Sequence, residues 1–78
     1  MAAMMTLYIK QGCPWCDMAE EWLTRNRRPY RSIDVLSSPK EFACMRRVSG
    51  QSRAPVLITE NGRVLADFGP EELPGFLG

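Results

Sequence analysis

The residue order predicts an α/β fold running β-α-β-α-β-β-α, with a four-stranded mixed sheet flanked by helices. Three observations carry this reading. Short runs rich in β-branched and aromatic residues alternate with longer runs whose apolar residues recur at helical spacing. Pro14, Pro39 and Pro70 each stand where a helix can begin and a missing N–H costs nothing. The pair Asn61-Gly62 separates two short apolar runs, the strongest short-range signal for a hairpin.

Each element follows from its residues. Met5 to Lys10 (MTLYIK) reads as the first strand, stopped by a turn at Gly12. Leu7 and Ile9 share one face; Met4, Thr6 and Tyr8 share the other. Apolar character on both faces predicts a central strand covered from two sides. A helix then runs from Cys13 or Pro14 to about Arg27. Trp15, Met18, Ala19, Trp22 and Leu23 keep the spacing of a buried stripe. Asp17, Glu20 and Glu21 precede Arg25, Arg27 and Arg28, the charge order that suits the helix dipole. Pro29 ends the helix, and Tyr30 to Val35 is a second strand in which Tyr30, Ser32 and Asp34 alternate with Arg31, Ile33 and Val35. Ser38-Pro39-Lys40-Glu41 has the form of a capping box with proline at the first helical position. The helix it opens carries Phe42, Met45 and Val48 and ends near Gly50. Val56 to Thr59 is a third strand, Asn61-Gly62 a type I′ turn, and Val64 to Phe68 a fourth strand. Gly69-Pro70-Glu71-Glu72-Leu73 opens a last helix with acids in its first turn. Pro74 falls too deep for a regular helix, which should be short or partly 3₁₀. The first βαβ unit makes parallel strands and the hairpin an antiparallel pair.

Composition bounds the function. Seventy-eight residues, 45% hydrophobic and 24% charged, fit a single domain over 1–78. Ten Lys+Arg against nine Asp+Glu leave a net charge of +1, so no whole-chain field draws nucleic acid or an anionic membrane. Apolar runs are far shorter than the roughly 20 residues of a membrane span. The N-terminal residues lack the basic region of a secretory signal, so a cytoplasmic protein is expected. The absence of histidine removes Ser-His-Asp and Cys-His catalysis and Cys2His2 zinc sites.

Three cysteines are an odd number, and Cys13 and Cys16 are too close for their bridge to constrain much chain. A closed zinc site would want four ligands. The pair is better read as chemistry. Cys13 falls at a strand-to-helix junction, where free backbone N–H groups and the dipole favour thiolate over thiol. Lys10 can add positive charge. Cys16, one turn on and followed by Asp17, is the weaker acid and can attack a mixed disulfide at Cys13. The competing readings are half of a zinc site or two buried thiols, and neither explains the strand-helix context. Cys44 reads as a half-buried helix residue, with glutathionylation or an intermolecular disulfide as lesser alternatives. Arg46 and Arg47 read as solvated groups serving the dipole, with a contact to a substrate carboxylate as the lesser alternative.

The stretch LYIKQGCPWC, the helix ending in RRVSGQSRAPVLI, and ADFGPEEL resemble a glutaredoxin of the dithiol CPWC type over about Met5 to Leu77. The resemblance implies a thioredoxin-like fold and a cytoplasmic, monomeric thiol-disulfide oxidoreductase. Its catalytic motif would comprise Cys13, Pro14 and Cys16 with Lys10. It also implies a cis peptide before Pro55, which sequence alone leaves open, cis being a minority state. Glutathione would be a co-substrate rather than a bound cofactor, held by Lys10, Trp15, Arg53, Ala54 and Pro55, with the Ala54 backbone pairing the cysteinyl moiety. Phe68, Gly69, Glu71 and Glu72 would meet its γ-glutamyl end. Partners would be disulfide-bonded or glutathionylated proteins. The chain departs from the family where Trp15 replaces Tyr or Phe, and where Asp67-Phe68-Gly69-Pro70-Glu71 replaces a Gly-Gly-x-x-Asp pattern. Two rival readings stay open: a redoxin reduced by thioredoxin reductase, and an iron–sulfur dimer, which Pro14 disfavours.

Overall fold

The structure is a computed structural model that describes residues 4–78. Positions 1–3, included in the expected domain and N-terminal reading, lie outside the described residues. Four strands, β1 (Met5–Ile9), β2 (Tyr30–Asp34), β3 (Val56–Ile58) and β4 (Val64–Ala66), form one sheet in the order β2-β1-β3-β4. β1 pairs parallel with β2 and antiparallel with β3, and β3 pairs antiparallel with β4. Helices α1 (Pro14–Arg25), α2 (Pro39–Ser49) and α3 (Leu73–Leu77) flank it. Short 3₁₀ turns at Val35–Ser37 and Pro70–Glu72 lead into α2 and α3. No helix among the described residues is long and apolar enough to cross a membrane.

The central position of β1 follows from its two apolar faces. Met5 and Leu7 join Ala19, Leu23, Leu57, Phe68 and Leu73 in one cluster. Tyr8 joins Val35, Met45 and Val56 in a second. The sheet thus separates an α1/α3 layer from an α2 layer. Fully buried leucines at 7, 23, 57 and 73 hold the first layer, each contributing about 1.5–3 kcal/mol by burial.

Capping sets the helix starts. The Ser38 Oγ accepts the Glu41 N–H at 3.3 Å with Pro39 next, and Gly50 closes α2 in the left-handed region. Other boundaries differ from the sequence reading. β2 stops at Asp34 because its carboxylate accepts the Leu36 N–H at 3.0 Å and the Ser37 hydroxyl at 3.2 Å, winding the chain into a 3₁₀ turn. β4 stops at Ala66 because Asp67 adopts φ +52° and turns Phe68 into the core. The hairpin is not a type I′ turn on Asn61-Gly62. The Gly62 N–H bonds the Thr59 carbonyl, the central pair is Glu60-Asn61, and Gly62 follows at φ +87°. The Thr59 N–H to Arg63 carbonyl bond then closes a three-residue loop. Met18 and Val48 are exposed instead of buried, as is Met4, and Trp15 at the start of α1 is exposed beside the thiols. On α1 the sealed residues are Cys16, Ala19 and Leu23, with Trp22 half-buried against them.

Candidate active site

β1 delivers the chain to the CPWC segment through a tight turn. The Cys13 N–H bonds the Lys10 carbonyl at 3.1 Å, and Gly12 takes φ +85°, a conformation costly for other residues. Cys13 is the N-cap of α1, and Pro14 occupies the first turn, where no N–H is needed. The Cys13 Sγ accepts the Cys16 N–H at 3.3 Å, so the group that caps the helix is itself a cysteine sulfur. Cys13 is half-buried, whereas Cys16 is 1% exposed. Burial, aided by its hydrogen bond to Cys13, pushes the Cys16 thiol up to about 12, with the Lys10 backbone acting weakly against this. Two cysteines three residues apart thus occupy opposite environments. Both are free thiols.

Strand register gathers the remaining residues at the same sheet edge. Tyr8 pairs with Val56 and Val56 with Ala66. The chain after β1, before β3 and after β4 therefore converges, and the Asp67 N–H bonds the Pro55 carbonyl at 3.0 Å. The Ala54-Pro55 peptide is cis. Pro55 is fully buried and Ala54 half-buried beside it.

Lys10 extends from β1 toward this second segment. Its Nζ donates to the Ser52 carbonyl at 2.8 Å and lies 4.9 Å from the centroid of the Phe42 ring. Arg53 is clamped by Gln51, whose side chain accepts the Arg53 N–H at 2.6 Å and donates to its carbonyl at 2.9 Å. The Arg53 guanidinium pairs with Asp67 at 3.3 Å, so part of its charge is already answered. Ser52, Phe42, Gln51 and Asp67 were absent from the sequence-level site. The glutamine two residues before Arg53 was the one signal that could have marked the clamp. Arg46 and Arg47, with Gln51 and Ser52, line a groove of about 490 Å³ alongside. Cys44 is half-buried in α2, where the Tyr8 hydroxyl donates to its sulfur at 3.3 Å.

The last group divides. Trp15 is 54% exposed beside the thiols. The Phe68 side chain is 3% exposed and packed in the α1/α3 core, which leaves its backbone as the part that can face a ligand. The Gly69 N–H is taken by the Glu72 carboxylate at 3.0 Å. The Glu71 carboxylate also lies over Gly69, within 2.5 Å of where a Cβ would stand. The start of the Pro70–Glu72 turn is thus capped by the chain itself.

Comparison with known proteins gives a consistent picture. The model of the glutaredoxin family matches residues 5–65. An uncharacterized glutaredoxin-like 8.6 kDa protein in a rubredoxin operon of Clostridium pasteurianum is 31% identical over 70 residues, covering 90% of this chain and 92% of the relative. A glutaredoxin from Archaeoglobus fulgidus superposes with a TM-score of 0.83 at 20% identity, over 96% of this chain and 86% of that one. The thioredoxin-like protein BC3987 superposes with a TM-score of 0.82 at 24% identity, over 91% and 96% respectively. These last two likenesses establish the thioredoxin-like fold.

Proposed function

The chain belongs to the glutaredoxin family, and from that premise we propose that it is a dithiol thiol-disulfide oxidoreductase. The Cys13 thiolate attacks one sulfur of a protein disulfide or a protein–glutathione mixed disulfide, and the other sulfur leaves as a thiol. For a protein disulfide, Cys16 then attacks Cys13, freeing the second protein thiol and leaving a Cys13–Cys16 disulfide. Two glutathione molecules restore the dithiol and leave as glutathione disulfide. The observation that carries this reading is the asymmetry of the pair. Cys13 caps α1 at the half-buried surface, and Cys16 is sealed beneath it with its thiol pushed up to about 12. The nucleophile is reachable, and the resolving thiol stays protonated until a mixed disulfide forms next to it.

Glutathione fits in part. Lys10 and the Arg46/Arg47 groove supply cations for its carboxylates, Trp15 a face, and Ala54 a backbone to pair with. One observation favours the second reading, in which thioredoxin reductase supplies the electrons. Glu72 already holds the Gly69 N–H, and Glu71 sets a second negative charge over it, so an incoming carboxylate must displace a tethered one. Two coupled assays decide. Turnover of a glutathione mixed disulfide with glutathione, glutathione reductase and NADPH supports the first reading. Activity confined to thioredoxin reductase and NADPH supports the second, and silence in both removes the oxidoreductase reading. A monomer acting in the reducing cytoplasm is part of the proposal.

A further inference from the structure

The spacing along α1 asks for an apolar stripe, yet the chain covers only part of it. Ala19 and Leu23 are sealed against the sheet, while Trp15 is 54% and Met18 37% exposed. Trp15, Met18 and Trp22 follow one another at steps of three and four, so they form a single ridge that starts beside Cys13. Met18 and Trp22 continue it into a shallow groove of about 300 Å³ shared with Glu21, Arg25 and Pro70. Contiguous apolar surface on so small a domain marks a contact with another molecule.

Charge is distributed unevenly around this ridge. Asp17 and Glu21 of α1 and Glu71 and Glu72 of the Pro70–Leu77 segment stand against Arg25, which is bonded to Glu21, and Arg63, which is seated on Phe76, while Glu20 is turned away to the Tyr30 hydroxyl. α2, on the other side of the sheet, carries Lys40, Arg46 and Arg47 against Glu41, with Lys10 seated on its Phe42. The net charge of +1 hides an acidic wall and a basic wall on either side of the thiols.

We propose that the Trp15–Met18–Trp22 ridge is the docking surface for the protein that exchanges a disulfide with Cys13, and that this partner presents an apolar contact ringed by basic groups. The inference rests on the oxidoreductase reading. A protein-sized partner whose sulfur reaches the Cys13 Sγ must cover the ground around it, and the ridge is continuous with Cys13 on the same helix. The acidic rim selects the sign of the partner's charge and speeds its approach.

The test uses three probes. Two are synthetic apolar cysteine peptides, one flanked by lysines and one by glutamates, each joined in a mixed disulfide to the same chromogenic thiol. The third is bis(2-hydroxyethyl) disulfide. In a single turnover the reduced protein's Cys13 attacks the peptide sulfur and releases the chromophore as its thiolate; Cys16 then releases the peptide thiol. The lysine-flanked peptide should react about tenfold faster than the glutamate-flanked one at low salt, the gap closing near ~0.5 M salt. Glu21→Lys should cut the preference severalfold. Met18→Ser should slow the lysine-flanked peptide while leaving the small disulfide unchanged. Equal rates for the two peptides, or a preference untouched by Glu21→Lys, overturn the proposal. Faster reaction of the glutamate-flanked peptide overturns it too, by moving the contact to the α2 wall. If the small disulfide itself does not react, the oxidoreductase reading fails; if it reacts without charge preference, only the docking assignment fails.

Discussion

Two helical segments begin at the same edge of the sheet with proline at their first position, and they end up in opposite states. At α1 the cap is Cys13, a sulfur that takes one backbone N–H and stays half-exposed. At the Pro70–Glu72 turn the Glu72 carboxylate folds back onto the Gly69 N–H, and Glu71 covers the same glycine. A helix start is a source of positive potential whichever chain it belongs to. What decides its use is whether the group that answers it can also react. Cys13 can. Glu72 can only be displaced.

The largest expected effect lies at the reactive start. Cys13→Ser should reduce turnover in either coupled assay to background, because the hydroxyl offers no thiolate. Cys16→Ser should leave substantial activity on a glutathione mixed disulfide, which needs one thiol, and lose it on protein disulfides, which need two. Equal loss of both activities in Cys16→Ser would show that the buried sulfur does more than resolve.

Next comes alkaline stability, which tests the buried cysteine without any substrate. The folded-state value for Cys16 is raised from 9.0 to about 12, and that of Tyr8 from 10.0 to about 12, burial being the main cause in both. In each case the unfolded chain ionises first, so it binds fewer protons than the folded one above its own value. Stability is therefore fully present below pH ~9 and falls as pH rises toward ~12, by about 1 kcal/mol per pH unit for Cys16. Denaturant midpoints between pH 8 and 10 should fall in the wild type and stay nearly level in Cys16→Ala. Tyr8 keeps a slope in both proteins above pH 10.

The self-capped start gives a smaller, two-signed effect. Glu72→Ala frees the Gly69 N–H and removes a charge. It should cost about 0.5–1 kcal/mol of stability through the lost cap. If glutathione is the reductant, its KM should fall by roughly fivefold, about 1 kcal/mol of relieved competition. A KM that does not move while stability drops would place the γ-glutamyl end of the substrate elsewhere.

These contrasts were unevenly legible in the sequence. A cysteine pair at a strand-helix junction, with proline between, fixes which sulfur caps α1 and which is buried, because helix geometry puts Cys13 at the cap and Cys16 one turn in. The same logic placed Ser38 and Gly50 at the ends of α2. Periodicity, however, reports which residues share a face and not which part of that face gets covered. Ala19 and Leu23 meet the sheet, and Trp15 and Met18 on the same helix meet solvent. The turn type at Asn61-Gly62 was set by Thr59, whose carbonyl, N–H and hydroxyl all bond across the loop. The Glu72 cap and the Gln51 clamp depend on side chains folding back on their own backbone; each has a spacing that permits this, Glu72 three residues after Gly69 and Gln51 two before Arg53, but the same spacing also suits a solvated acid or amide. Phe68 falls outside the fourth strand because one residue, Asp67, reverses the backbone just before it.

Asp67 offers the most discriminating contrast, with no expected loss in one variant, because it joins backbone geometry and charge at the approach to the self-capped start. Its φ of +52° is a conformation that asparagine and aspartate tolerate and alanine resists. Its carboxylate pairs with Arg53 at 3.3 Å, with both side chains largely exposed, a contact that salt screens and that is worth at most about 0.5 kcal/mol. Asp67→Asn removes the charge and keeps the backbone preference; it should leave the melting temperature within error while freeing Arg53 for an anionic substrate. Asp67→Ala removes both and should cost a further ~1 kcal/mol. If the two variants are equally destabilised, the ion pair and not the turn holds Phe68 in the core. If asparagine is neutral and alanine is not, the fold depends on the left-handed residue and the charge is left for the substrate.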